Sequence, residues 1–226
     1  MKKIVIATLP LKKNHERRHY PVDGNALIEV EQPIYYAVNP AVAHKLKKED
    51  EVKVILLETK GGENAGTENA KNFIDELNEF NKVGASISKA LIPSPYDESK
   101  TNFQNMYKTL IGELDQGAEI YCDLTFGPKP LAFLVFSVLR FAEKFYDCKV
   151  GNIVYSKVEF QGNKIIEGSE KIYDITPLYL LDIFTNTIQS LSKENAVKAV
   201  DALLGGGLVH ETEDFRFCLW TDKWFL

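Results

Sequence analysis

Asp123-Leu124-Thr125-Phe126-Gly127-Pro128-Lys129 sets an acid, a hydroxyl, a glycine and a lysine within seven residues, between two apolar runs. The set suits an oxyanion. Lys129 brings a full positive charge, Gly127 lets backbone amides approach closely, and a helix opening at Pro128 turns unpaired N–H groups and a positive dipole end towards the guest. A phosphate fits that description. Asp123 and Thr125 also have a purely structural use, because short polar side chains satisfy loop amides and cap helices. A second cluster follows Thr8: between Leu9 and Gln32, Lys12, Lys13, His15, Arg17, Arg18 and His19 make the densest positive run in the chain. Such runs are ordinarily solvated faces. At the end of a strand this one is also placed to fold over a polyanion as a lid, with His15 and His19 near a scissile phosphate. Thr59-Lys60-Gly61-Gly62 closes another strand, where glycines ordinarily mark a plain turn.

Strands and helices must bring these loops to one place. Short Val/Ile/Leu-rich runs alternate with helix-length amphipathic segments, the pattern of a parallel sheet covered on both faces. The spacing predicts strands over 3–8, 51–58, 85–92 and 119–124, and helices over 33–47, 68–80, 101–114 and 128–145, the last apolar enough to be buried on most sides. Residues 150–160 and 164–173, joined by Gln161-Gly162-Asn163, then read as a hairpin at the sheet edge. Helices over 176–191 and 192–204 follow, then Gly205-Gly206-Gly207 and an aromatic tail with Phe215, Phe217, Trp220, Trp224 and Phe225. The expected fold is therefore α/β: a Rossmann-like, mostly parallel sheet with helices on both faces, a hairpin edge and a small C-terminal helical appendage. The boundary falls at 174, giving a domain over 1–174 and an appendage over 175–226. In open parallel sheets, ligands bind beyond the carboxyl ends of the strands where strand order reverses, and all the loops above lie at that end.

Composition narrows the classes. With 27 Lys and Arg against 32 Asp and Glu, the net charge of −5 argues against capture of long nucleic acid, while leaving room for a local anion site. Three widely separated cysteines, Cys122, Cys148 and Cys218, fit neither a disulfide framework nor a zinc knuckle, so a reducing cytoplasm is expected. No apolar stretch is long enough to span a membrane, and the first apolar run stops at Pro10 without a cleavage site. No His-Glu-x-x-His, Cys-x-x-Cys, P-loop, Gly-x-Ser-x-Gly or Gly-x-Gly-x-x-Gly motif is present, so neither a metal nor a cofactor is expected. His44 lies on a predicted helix beside Lys45 and Lys47 and reads as part of an exposed face.

Asp-x-Thr-x-x-x-Lys at a strand-to-helix turn of a Rossmann-like sheet resembles the ligand motif of CARF domains, the CRISPR-associated Rossmann-fold sensors. The order of elements over roughly residues 1 to 190, with Tyr173-Asp174-Ile175-Thr176-Pro177 opening a helix after the hairpin, is similar as well. That resemblance implies a homodimer binding a cyclic oligoadenylate, tetra- or hexa-adenylate, across its two-fold axis. By motif position Asp123, Thr125 and Lys129 contact the ligand, joined by Thr8 from the loop after strand one. The HEPN ribonuclease that often accompanies such sensors is not expected, because the sole arginine after Asp174, Arg216, has no histidine following it. A stand-alone CARF domain looks like a ring nuclease. In that reading Lys129 stabilises charge on the phosphoryl oxygens, Thr8 positions phosphate or sugar, His15 or His19 protonates the leaving group, and the product carries a 2′,3′-cyclic phosphate. The alternative is a non-catalytic, messenger-gated regulator acting through its C-terminal segment or a partner. A nucleotide-binding enzyme outside CRISPR is a third.

Overall fold

The computed structural model describes residues 1–11, 16–23, 25–60, 66–95, 98–162 and 164–205. Its main sheet begins with β1 (Lys2–Thr8), a run of apolar residues buried on both faces, as parallel strands under two helical layers must be. β3 (Glu51–Lys60), β4 (Ser86–Pro95), β5 (Glu119–Asp123) and β6 (Lys149–Lys157) lie parallel to their neighbours, β9 (Lys171–Asp174) runs antiparallel to β6, and β2 (Val22–Asp23) closes that edge alongside β9. The order is β2-β9-β6-β5-β1-β3-β4. From β1 the chain moves outward to β3 and β4, then returns to the other side of β1 to lay down β5 and β6. Strand order therefore reverses between β1 and β5.

Right-handed crossovers fix the layers. α1 (Val38–His44) and α2 (Gly66–Phe80) cover one face, where Val38, Phe73 and Leu77 pack with Val5, Ala7, Val54 and Leu56. The return direction puts α3 (Lys100–Gly112) and α4 (Lys129–Tyr146) on the opposite face, the one to which Ile4 and Ile6 point by strand alternation. α3 and α4 pack together, with the Tyr107 and Phe141 rings edge to face at 6.3 Å.

Three expectations change. The helix expected over 33–47 starts at Val38, because Pro40 has no N–H and its ring would strike the carbonyl of Tyr36, so it is tolerated only in a first turn. The hairpin is split: β6 pairs with β9 from Val154↔Asp174 to Lys157↔Lys171, while β7 (Phe160–Gln161) and β8 (Lys164–Ile165) form a separate ladder. A tight turn interrupts the returning strand, with Ser169 N bonded to Ile166 O at 3.1 Å and Gly168 at φ +79°. α4 is not buried on most sides. It buries Leu131, Val135, Val138, Leu139 and Ala142 but leaves Phe133 76% and Phe145 59% exposed.

Contacts divide the chain into two units, Met1–Asp174 and Ile175–Leu226. In the second, α5 (Thr176–Thr187) and α6 (Lys193–Gly205) bury Leu180 and Leu203, around which Leu181, Ile183 and Phe184 pack. Among the described residues, no helix is long and apolar enough to cross a membrane.

Candidate functional site

Thr8 ends β1 and Asp123 ends β5, paired neighbours at the point of reversal. The Thr8 side chain is where the two halves of the sheet are joined above the strands. Its hydroxyl donates to the Asp123 carbonyl at 3.4 Å and accepts from the Phe126 amide at 3.0 Å. With both roles taken and only 1% of its surface exposed, Thr8 positions the loop after β5 rather than presenting a free hydroxyl.

Asp123 is buried to the same degree. Its Oδ1 accepts from Thr125 N at 3.0 Å, an Asx turn that shapes the start of the loop. Oδ2 makes no hydrogen bond, although the Ala37 and Val38 amides at the start of α1 lie near enough to favour the charged carboxylate. Burial outweighs those amides and the Thr125 contacts, and pushes the Asp123 carboxyl above the usual range. Thr125 is anchored in turn by β6: its Oγ1 accepts from Ser156 N at 2.9 Å and lies 2.8 Å from Ser156 Oγ. Both motif side chains thus hold the loop, the structural use that their types also allowed. Ser156 carries no signal in sequence, since a serine in a strand has no local signature.

The loop offers its surface at Gly127 and Lys129, both exposed. Gly127 sits at φ +87°, a region that side chains disfavour, and a Cβ there would lie 3.1 Å from Leu131 Cδ2 and 3.6 Å from Thr8 Cγ2. That turn starts α4 without a side-chain cap, and Lys129 is its first residue. Lys129 has no hydrogen bond or ion pair with any described residue. A cation in a first turn opposes the helix dipole, at a cost of about 0.3–1 kcal/mol. A local preference broken without compensation is characteristic of a functional position. Phe133, one turn further along the same helix face, is a flat apolar surface beside the lysine; its exposure was not expected of a helix read as buried.

The described part of the first loop is woven into the fold. Tyr20, Ile28, Ile34 and Tyr36 enter the core, and Arg18 bridges to Ile34 as a pair of backbone hydrogen bonds. Arg17 pairs with Glu79 at 2.6 Å and lies over the Tyr35 ring, and Arg18 contacts Glu16 at 3.0 Å and Glu170 at 3.3 Å. Both guanidinium groups therefore already have carboxylate partners. His19 is exposed. Tyr20 is pushed up to about 12, by burial first and by the charges of Asp123, Glu170 and Glu76, against Arg18. Lys12, Lys13, His15 and Gly61 lie outside the described residues.

α1 rests on a second buried acid. Glu76, on α2, accepts from the Tyr35 amide through Oε1, and from the Tyr36 amide at 3.0 Å and Asn39 Nδ2 at 2.9 Å through Oε2. Burial raises its carboxyl above the usual range against those bonds. Glu76 thus holds the Tyr35 and Tyr36 amides just ahead of α1, which has no side-chain cap of its own, while Asp123 lies near those of Ala37 and Val38.

At the opposite, amino end of the strands, a cleft of about 200 Å³ is lined by Lys2, Lys3, Lys53, Ser86, Ser88 and Asp115 among others. Its lysines are neutralised, Lys2 by Asp115 at 2.7 Å, Lys53 by Glu113 at 2.7 Å and Lys3 by Glu119. It has no free cation for an anionic ligand. Among the described residues, no cluster of His, Cys, Asp and Glu is arranged to hold a metal. No protein-family profile matches the sequence, and no curated protein matches it.

Proposed function

We propose that the chain is a CARF-type protein of the cytoplasm that binds a cyclic oligoadenylate at the carboxyl ends of β1 and β5, as a homodimer, and opens the ring. The observation that carries this reading is Lys129: exposed, without an ion pair among the described residues and set against the helix dipole, on a loop that Thr8 and Ser156 clamp at the strand-order reversal. One copy presents one such lysine on an open surface, whereas a ring of several phosphates is matched by two, brought together across a two-fold axis. Phe133 would lie under an adenine base, since base–aromatic stacking contributes about 1–3 kcal/mol per base.

Ring opening needs no metal when a ribose 2′-OH is held in line with the phosphorus and the 5′-oxygen. The 2′-oxygen forms its bond to phosphorus and loses its proton to solvent, the P–O5′ bond breaks, and the 5′-oxygen takes up a proton, giving a 2′,3′-cyclic phosphate and a 5′-hydroxyl. Lys129 stabilises the charge that builds on the phosphoryl oxygens. Purified protein incubated in EDTA with cyclic tetra-adenylate and cyclic hexa-adenylate, followed by chromatography, is the test. Linear adenylates with cyclic phosphate ends are expected. Absence of both binding and cleavage would sink the reading.

The commitment of the Thr8 hydroxyl within the protein favours a second reading, a sensor that binds the ring and leaves it intact. Tight binding with full recovery of the ring selects it.

A further inference from the structure

β6 and β9 pair antiparallel, with Tyr155 opposite Tyr173 and Lys157 opposite Lys171. The residues that alternate with them, Val154 and Ile172, are buried in the core under α1 and α2. Tyr155, Tyr173, Lys157 and Lys171 therefore share the other face of the sheet. Cover is incomplete there: Tyr155 is 38% exposed, Tyr173 is half-buried, and both lysines are exposed. β6 lies inside the sheet, between β5 and β9, where apolar side chains under a helix are the rule. Lysine on an edge strand discourages unwanted pairing, but that use does not extend to Lys157 on an interior strand. Like charges directly opposite one another also destabilise the strand pair. Lys157 meets Glu159 at 2.9 Å in an exposed contact that contributes little, and Lys171 bonds to no other described residue. Local preferences broken in this way are characteristic of a functional surface.

What such a set can hold follows from its parts. Two phenol rings on neighbouring strands offer π-faces on which any base can stack. Two cations, one residue pair removed and so about 7 Å along the strands, lie at the scale that separates a nucleotide's base from its phosphate. Aromatic faces and lysines together are how proteins hold single-stranded nucleic acid without reading its sequence. With a net charge of −5 the attraction is local, so the strand held is short. We propose that the Tyr155–Tyr173 and Lys157–Lys171 pairs bind a short, linear single-stranded oligonucleotide, with a base on the tyrosine rings and phosphates on the lysines. This inference is independent of the ring reading, since Lys129 takes no part in it.

Fluorescence anisotropy of the full-length chain with fluorescein-labelled linear hexa-adenylate and hexa-uridylate is the test. Both probes should bind, more weakly as salt rises. Tyr155→Ala/Tyr173→Ala should lower affinity roughly 5- to 150-fold, the loss of one stacked base, and Tyr155→Phe/Tyr173→Phe should recover most of it, because a phenyl ring still stacks. Lys157→Ala/Lys171→Ala should weaken binding and flatten its salt dependence, with far-UV circular dichroism unchanged because both side chains are exposed. Failure of the wild-type chain to bind either probe overturns the proposal. So does binding that neither the lysine nor the tyrosine double variant weakens. Binding that is lost in Lys129→Ala yet kept in both double variants overturns it too, and assigns the strand to the turn before α4.

Discussion

The Thr8 hydroxyl accepts the Phe126 amide at 3.0 Å, across 118 residues of sequence, and so ties the loop after β5 to the end of β1. Thr8→Val keeps the shape and removes the acceptor. The bond from the Phe126 amide is then lost, which costs about 0.5–1.5 kcal/mol. Urea unfolding should show that loss, and Thr8→Ser should recover most of it. If valine is tolerated without loss of stability, the clamp is not what holds the loop.

Lys129→Ala separates function from stability. The side chain is exposed, has no ion pair among the described residues and is placed against the helix dipole, so its removal should leave the unfolding free energy unchanged or raise it by up to about 1 kcal/mol. A charge-assisted contact to phosphate is worth about 1.5–3 kcal/mol, so affinity for a cyclic oligoadenylate should fall roughly 10- to 150-fold, measured by calorimetry. Unchanged affinity with wild-type turnover would remove Lys129 from the site.

Buried carboxyls give stability opposite pH dependences at the two ends of the sheet. Glu76 and Asp123, raised chiefly by burial, hold a proton more tightly in the folded chain. Their contribution is full below the ordinary carboxylate range and is lost as pH rises through their folded values. Asp50 runs the other way. Burial alone would raise it, but the Met1 ammonium at 3.0 Å, the Lys47 amide at 2.9 Å and the charge of Lys3 bring it below its ordinary value. Its contribution is present above the ordinary value and lost as pH falls through the folded one. Asp50→Asn should therefore flatten the acid limb of the unfolding free energy against pH. Glu76→Gln should flatten the limb above the carboxylate range and also cost about 1–3 kcal/mol throughout, because an amide turns donors towards Tyr35, Tyr36 or Asn39. An acid limb that survives Asp50→Asn would assign it to other groups.

By itself the sequence determined the α/β alternation, the buried parallel strands and the Asp123–Lys129 turn at the mouth of a helix. These are local: apolar runs of strand length, amphipathic periods and a seven-residue spacing are written in consecutive residues. Apolar periodicity alone put the start of α1 at 33, a misreading, since Pro40 is tolerated only in a first turn and the helix starts at Val38. Tertiary structure decided the rest. Whether Thr8 and Thr125 faced a ligand or a neighbour depended on Phe126 and Ser156, each far away in the chain or without a signature of its own. Arg17 and Arg18 looked free because their partners, Glu79 and Glu170, lie 62 and 152 residues on. Hydrogen bonds and ion pairs between distant residues leave no spacing to read; only the packing that brings their ends together selects which polar side chains hold the fold and which, like Lys129, bond to no other described residue.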